Sequence, residues 1–190
     1  MNDLREKLVL ASSSPRRTEI LERAGWAHEV MVAGIDESVK PDEAPAAYVQ
    51  RLARSKAEAV AQRLTEGLVL GADTTVVIAN QILGQPRDEA DARRMLGLLN
   101  GKWHEVLTGV AVVRVGGEAR VAYAATRVRF AEISSEEIDW YIASREPFGK
   151  AGAYGIQGRA ALFIKEIAGD YFNIMGLPIR LVYELTDSSG

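Results

Sequence analysis

The chain has 190 residues, of which 47% are hydrophobic and 26% are charged, and its formal net charge is −3. This length and balance favour one globular domain, or two lobes sharing one core, and exclude a disordered chain on composition. The mild acidity excludes a broad basic surface for nucleic acid, and the absence of cysteine excludes disulfides, zinc–thiolate sites and thiol nucleophiles.

The beginning of the chain and its apolar runs carry no targeting or membrane signal. Residues 1–7 mix both charges and precede only a short apolar run, so no signal peptide is predicted. No apolar stretch reaches the length of a membrane span. We therefore expect a cytoplasmic protein with neither a membrane nor a nucleic-acid partner.

The first half of the chain alternates strands and helices. Residues 8–11 form a short apolar run typical of a buried strand, and Ser14 and Pro15 suit the N-cap and first position of the helix that follows. Gly25 is suited to end that helix. The other elements predicted here are a strand over 28–32, a loop over 33–45, a helix over 46–64, a strand over 69–78, a turn at 80–81 and a return strand at 82–83.

The second half contains two helix starts and a hairpin. Asp88 can cap a helix that reaches residue 99, and Ser134 with Glu137 predicts a capping box for a helix to residue 144. Gly116-Gly117 indicates a hairpin turn. The other predictions are strands over 105–115, 118–130 and 161–167, a glycine-rich loop over 147–158, a helix over 177–185 and a frayed tail from 187. Together these elements predict an α/β fold with a mixed central sheet flanked by helices.

The segment from Ser12 to Arg17 is the first candidate site. A strand that delivers a hydroxyl-rich turn to a helix N-terminus favours anions, because unpaired backbone N–H groups and the helix dipole point at the turn. Arg16 and Arg17 could add charge-assisted bonds to phosphate, although adjacent helical residues cannot both point the same way. The alternative is a capped helix with solvated arginines, and local evidence does not separate the two.

Asp73 is the second candidate. It lies inside an apolar run, where an aspartate is costly unless it is paired, hydrogen-bonded or bound to metal. We favour a functional carboxylate over a local turn made with Thr74, because the flanking residues are too apolar for a surface turn. Lys56, on the predicted helix over 46–64, could either extend to solvent or reach a phosphate. Glu37 lies in an acidic loop and would not be singled out by itself.

The glycine-rich run over 149–158 matches neither a phosphate-binding P-loop nor a dinucleotide fingerprint. It predicts a loop whose backbone approaches a ligand closely, and Gln157 offers a donor and an acceptor for a base edge. A flexible surface loop is the alternative. His28 and His104 are not spaced as a metal pair or a triad, so a metal here would be held by oxygen ligands, as magnesium or manganese is.

Several ordered motifs together resemble the Maf family of nucleotide pyrophosphatases. The resemblance covers about residues 8–185, and its motifs are those over 11–17, 70–74, 86–88, 101–110 and 150–158. It implies a two-lobed α/β fold of the Maf and ITPase type around a substrate cleft. It also implies metal-dependent hydrolysis of a nucleoside triphosphate between the α- and β-phosphates.

The resemblance assigns roles to individual residues. Asp73 would be the proton acceptor, and Glu37 would join Asp73 as a carboxylate of the metal site. Ser12, Arg17 and Lys56 fall at positions that resemble phosphate contacts. The resemblance is also compatible with a homodimer.

Arg16, Thr74 and Gln157 are similar to the family branch that acts on dTTP and UTP, with a second branch acting on 7-methyl-GTP and a third on other nucleotides. The chain departs from the family at Gln85, where a lysine is common. If that lysine neutralises triphosphate charge, its absence would weaken substrate binding; the alternative is that Lys102 or Arg87 takes its place. The change would affect the rate more than the type of reaction. A 7-methyl-GTP pyrophosphatase and a non-catalytic regulator of septum formation are the alternatives, and clearance of modified nucleotides is compatible with the main prediction.

Overall fold

The computed structural model describes residues 6–187 of the chain. Over that range the strands are β1 (Leu8–Leu10), β2 (His28–Val30), β3 (Leu68–Ile78), β4 (Gln81–Leu83), β5 (Trp103–Arg114), β6 (Ala119–Phe130) and β7 (Ile164–Ala168). The α-helices are α1 (Pro15–Arg23), α2 (Pro45–Ala61), α3 (Glu89–Leu99), α4 (Ser135–Ala143), α5 (Tyr171–Met175) and α6 (Ile179–Thr186). Residues 1–5, and residues 188–190 of the tail that was predicted to fray from 187, lie outside the described range.

The strands form a mixed sheet in the order β2-β1-β3-β5-β6-β7, with β4 paired to β3. β1 runs parallel to both of its neighbours, β2 and β3. The pairs β3–β4 and β6–β7 are antiparallel. The α/β prediction with a mixed sheet is therefore confirmed. Within the described residues, no helix combines the length and hydrophobicity that a bilayer span requires.

The chain divides into two compact units. Within the described residues, the first unit comprises residues 6–73, 108–124 and 176–187, and the second comprises residues 74–107 and 125–175. Strands β3, β5 and β6 each contribute residues to both units. The single-domain organisation stays a prediction.

Each unit has its own apolar cluster. In the first unit the cluster is built mainly from small side chains of β1, α2, β3 and β5, such as Val9, Ala57 and Ala111. In the second unit it contains larger side chains from α3, α4 and β6, with Phe130 and Tyr141 almost fully buried. Small side chains allow backbone segments to approach closely, and in the first unit they let α2, which carries charged residues, pack near the strands.

Helix α2 lies directly against the backbone of β3 and β5. A Cβ atom at Gly71 would collide with the carbonyl oxygen of Ala53, and one at Gly109 would collide with that of Val49. Glycine at both positions therefore lets the helix pack at backbone distance. This contact fixes the distance between α2 and the two strands. It therefore also fixes the position of the polar residues on α2.

Two predictions near the C-terminus are wrong in part. The strand predicted over 161–167 is a 3-10 helix over Arg159–Phe163 followed by β7. Ala160 and Phe163 are buried while Leu162 is 76% exposed, a spacing of three that suits a 3-10 helix and not a strand. The helix predicted over 177–185 begins only at Ile179, and the short α5 before it was not predicted.

Two turns also differ in detail. The turn between β3 and β4 lies at Ala79-Asn80, with φ of 49° and 62°, so Gln81 already belongs to the return strand. The glycine-rich loop contains a 3-10 turn over Ala151–Ala153. Asn is among the residues that enter the left-handed region most readily, which places this turn one residue earlier than predicted.

Candidate active site

Asp73 is a buried carboxylate on β3, in the part of that strand that belongs to the first unit. It is 7% exposed; Ala72 before it is fully buried and Thr74 after it is partly buried. Burial raises the pKa of Asp73, because the charged form loses hydration there. Lys56 and Arg17 counter that effect and favour the carboxylate. The structure thus places Asp73 on a buried strand and not in a surface turn, while its function stays a prediction.

Lys56 of α2 links two acids. Its Nζ lies 2.7 Å from Oδ1 of Asp73 and 3.1 Å from Oε1 of Glu37. The Lys56 side chain is only 13% exposed, so it does not extend into solvent. Because α2 is held against β3 at Gly71, the ammonium group is delivered to the carboxylate two residues further along the same strand.

Glu37 reaches this ammonium group from an exposed loop that α2 holds in place. The Tyr48 hydroxyl donates to the Glu37 carbonyl oxygen at 3.1 Å. Arg51 donates to the Ser38 carbonyl at 2.9 Å and grips Glu43 through two nitrogens at 2.6 and 2.7 Å. The loop is therefore fastened at both ends of the segment that carries Glu37.

Tyr48 and Arg51 were not identified from the sequence. Both lie on α2 before Lys56. Arg51 follows Tyr48 by three residues, which places these two side chains on one helix face. That common face was the available signal. Burial, then the nearby charges of Asp73 and Glu37, raise the pKa of Tyr48 to about 12, so its hydroxyl stays a hydrogen-bond donor at neutral pH.

Arg17 is a buried arginine beneath the Ser-rich turn. Its Nε donates to the Gly176 carbonyl at 2.8 Å, and one terminal nitrogen donates to Ser12 Oγ at 2.8 Å. Ser12 Oγ also accepts the backbone N–H of Ser14 at 3.2 Å. Burial lowers the pKa of Arg17, while Asp73 and Glu37 raise it. Arg17 therefore lies in the field of the same two acids as Lys56.

Arg16 faces differently from its neighbour, as adjacent helical residues must. It is half-buried, and burial lowers its pKa. Ser14 occupies the N-cap position of α1, and Pro15 begins the helix, as predicted, but the Ser14 side chain makes no capping bond. Within this pair, Arg17 braces the turn and Arg16 is the more exposed cation.

The structure brings together four of the predicted site residues, Glu37, Lys56, Asp73 and Arg17, with Ser12 joined to them through Arg17. Thr74 and Gln157 belong to the second unit. Thr74 follows Asp73 on β3 and is partly buried, whereas Gln157 is exposed in the glycine-rich loop. Their roles stay predictions.

Oxygen donors suited to a metal are limited to two acids in this group. Over residues 6–187, no cluster of three or more histidine, cysteine, aspartate or glutamate side chains could hold a metal ion. Magnesium, however, is commonly held by one or two carboxylates together with substrate phosphates and water. Asp73 and Glu37, both in contact with one ammonium group, fit that pattern.

His104 is a packing residue. It is 3% exposed, its Nε2 lies 2.8 Å from the Tyr154 hydroxyl, and its ring contacts Phe130 edge to face. Burial lowers its pKa to about 4, so it is neutral at physiological pH.

Known proteins resemble this chain along nearly its whole length. The family described as Maf-like protein matches residues 7–188. A dTTP/UTP pyrophosphatase of Symbiobacterium thermophilum is 50% identical over 185 residues, covering 97% of this chain and 95% of that protein. One of Bacillus cytotoxicus is 51% identical over 182 residues, covering 95% and 94%. The solved Ham1 protein of Staphylococcus aureus shares the fold with a TM-score of 0.50 and 14% identity, over 67% of this chain and 73% of that one.

Proposed function

The chain belongs to the Maf family, and on that premise we propose that it is a nucleoside triphosphate pyrophosphatase that hydrolyses dTTP and UTP. The products are the nucleoside monophosphate and inorganic diphosphate. One observation carries the proposal: Lys56 holds the buried Asp73 and the loop acid Glu37 within hydrogen-bond distance, in the field of Arg17. This is a charged centre suited to a polyanion and a water nucleophile.

Phosphate recognition falls to the cations of the first unit. A triphosphate carries several negative charges, and their neutralisation lowers the barrier to attack by water. Lys56 and the partly exposed Arg16 supply positive charge, while Arg17 donates to the Ser12 hydroxyl oxygen in the same turn. Lys56 can exchange a carboxylate partner for a phosphate oxygen, because it keeps the other carboxylate as a neighbour.

Asp73 and Glu37 are the residues that would hold a divalent metal ion. Such an ion, when bound, would neutralise phosphate charge and orient the reacting groups. Both side chains offer only oxygen, which is the donor that magnesium and manganese prefer. Lys56, in contact with both acids, holds them close together in the absence of that charge.

Asp73 is the proton acceptor. Water adds to phosphorus, the anhydride bond between the α- and β-phosphates breaks, the diphosphate leaves, and the proton from water passes to the Asp73 carboxylate. The carboxylate must be ionised to do this. The nearby ammonium and guanidinium groups favour that state against the cost of burial.

Base selection is assigned to Arg16, Thr74 and Gln157, the residues that resemble the dTTP and UTP branch. The Gln157 amide offers one donor and one acceptor, which complement the O4 and N3–H edge of uracil and thymine. Modified pyrimidine nucleotides with that edge intact would be substrates as well, which fits a role in clearing them. We also propose a cytoplasmic location and a homodimer, the latter checked by light scattering of the purified protein.

The test is turnover of a nucleotide panel with magnesium or manganese, read as release of monophosphate and diphosphate. We expect dTMP and UMP, with no release after chelation and a loss of at least about a thousandfold in Asp73→Asn. Asp42→Asn is the matched control, because it makes the same change at an exposed acid of the first unit. It should retain full activity.

Each other outcome is informative. Preferred turnover of 7-methyl-GTP would keep the reaction and overturn the base assignment. An Asp73→Asn variant as active as Asp42→Asn would remove Asp73 from the chemistry. No turnover of any nucleotide by the unaltered protein would overturn the enzymatic proposal in favour of a regulator of septum formation.

A further inference from the structure

Gln157 lies at the tip of a tight turn that is fixed at both ends. The Gly158 N–H donates to the Gly155 carbonyl at 3.2 Å, so Ile156 and Gln157 are the two central residues of the turn. Ile156 is 8% exposed, whereas Gln157 is exposed. The buried isoleucine directs one side of the turn into the second unit and leaves the glutamine on the outside.

Glu146 fixes the end of the turn at Gly158. Its carboxylate Oε2 accepts the Arg159 backbone N–H at 3.0 Å, and a Cβ atom at Gly158 would overlap the carboxylate. The other oxygen, Oε1, accepts the Tyr141 hydroxyl at 3.3 Å. Tyr141 is fully buried, so the carboxylate is tied to the core of the second unit.

Lys150 covers the other end of the turn. Its Cδ and Cε atoms lie 2.9 Å from the position that a Cβ atom would take at Gly155. Its Nζ donates to the backbone carbonyl of Glu146. Glu146 therefore binds one end of the turn directly and holds the side chain that covers the other.

We propose that Glu146 is a positioning residue that fixes the Gln157 turn and thereby sets the preference for uracil and thymine over cytosine. The inference rests on the proposed function, in which Gln157 reads the base edge. Cytosine presents a donor at C4 where uracil presents an acceptor, so only an amide held in one place and orientation separates the two. A loose turn would let the amide adapt to either edge.

The test compares kcat/KM for UTP and CTP in the unaltered protein and in Glu146→Ala, Glu146→Gln and Glu166→Ala. In Glu146→Ala we expect the UTP-to-CTP ratio to fall about tenfold, mostly through a higher KM for UTP, because one discriminating hydrogen bond loses its geometry. Glu146→Gln keeps the shape and one acceptor oxygen and should recover most of the ratio. Glu166, an exposed acid on β7, is the matched control and should leave the ratio unchanged.

Amide hydrogen exchange reports the anchor independently of turnover. We expect the Arg159 amide to exchange faster in Glu146→Ala, while amides of α3 keep their rates. If Glu146→Ala does not fold, Gly158→Ala replaces it, since the new methyl group would push the turn off the intact carboxylate and lower the ratio in the same way.

The outcomes separate this inference from the proposed function. An unchanged UTP-to-CTP ratio in a Glu146→Ala protein that hydrolyses UTP would overturn the positioning role and leave the reaction intact. Unchanged exchange at Arg159 would also overturn it. Failure of the unaltered protein to hydrolyse any nucleotide would instead overturn the proposed function, and the inference with it.

Discussion

Burial and charge act in opposite directions on the Asp73 carboxyl group. Burial is the larger influence and raises its pKa above the ordinary value of 3.8, while Lys56 provides the largest opposing effect. A proton acceptor works only when ionised, so activity should fall as the pH drops through this raised pKa. The position of the acidic limb of the rate profile therefore reports the environment of one residue.

Removal of Lys56 should move that limb. In Lys56→Met the ammonium group no longer favours the carboxylate, so the pKa of Asp73 rises further and the acidic limb shifts to higher pH. The measurement is kcat/KM for dTTP as a function of pH. Lys40→Met, at an exposed lysine of the first unit, is the control and should keep the original limb. If the acidic limb of the Lys56→Met profile coincided with that of the Lys40→Met control, Asp73 would not be the group that titrates.

The same pKa shift predicts the effect of Asp73 on stability. A raised pKa means that the folded protein prefers the protonated form, so ionised Asp73 costs stability above its folded pKa. Asp73→Asn imitates the protonated form and leaves Lys56 in contact with Glu37. We expect its thermal midpoint at neutral pH to equal or exceed that of the unaltered protein.

That advantage should vanish in acid. Well below the unfolded pKa of about 3.9, at about pH 2, Asp73 is protonated in both the folded and the unfolded chain, so the aspartate and asparagine proteins should unfold at the same midpoint. Thermal scans at neutral and acidic pH test this directly. A large drop in the neutral midpoint would show instead that the contact with Lys56 outweighs the cost of burial.

The sequence identified Arg16 and Arg17 as candidate site residues but did not show which of them faces the interior. Adjacent helical residues point about 100° apart, and which of them faces inward depends on what packs there. Arg17 donates to the Gly176 carbonyl, 159 residues away in the chain. No local pattern contains that partner, so the bracing role of Arg17 became visible only in the folded chain.

Among the elements, α2 controls the site through its distance from the sheet. In Gly71→Ala the added methyl group meets the Ala53 carbonyl and the Ala57 side chain, so the helix that carries Lys56 must shift. We expect a loss of about 1–3 kcal/mol in the free energy of unfolding, typical of overpacking, together with reduced activity. Denaturant unfolding and dTTP turnover measure the two effects.

Gly97 provides the contrast, because it lies within α3 with nothing near its Cβ position. Gly97→Ala should stabilise the protein by up to about 1 kcal/mol through helix propensity and leave activity unchanged. Equal effects at Gly71 and Gly97 would mean that the close approach of α2 to β3 does not constrain the site.

Elements with local signals were predictable. The Ser134–Glu137 capping box is present, with the Ser134 N–H bonded to Glu137 at 2.7 Å, and Asp88 caps α3 by accepting the Asp91 N–H at 2.7 Å. Both signals lie within four residues of sequence. The prediction at Arg159–Phe163 was wrong because the apolar run there is too short for its periodicity to distinguish a 3-10 helix from a strand.

At the scale of the whole molecule, the charged centre draws on four separate segments of the first unit, at residues 17, 37, 56 and 73. Periodicity predicted where the strands and helices lie but not which loop would meet which helix. The resemblance to the Maf family supplied that grouping, because a family pattern encodes three-dimensional neighbours that spacing cannot. Tyr48 and Arg51 escaped notice because they hold the loop of Glu37 and carry no chemistry of their own.

The continuity of three strands predicts how the whole chain unfolds. Strands β3, β5 and β6 each contribute residues to both units, so each of these strands is one continuous stretch of backbone that both units use. We expect a single cooperative transition, with equal calorimetric and van't Hoff enthalpies. Gly71→Ala, in the first unit, and Gly97→Ala, in the second, should move that one transition in opposite directions. Two transitions, each displaced by only one of the substitutions, would contradict the prediction of a single domain, because the units would then melt independently despite the shared strands.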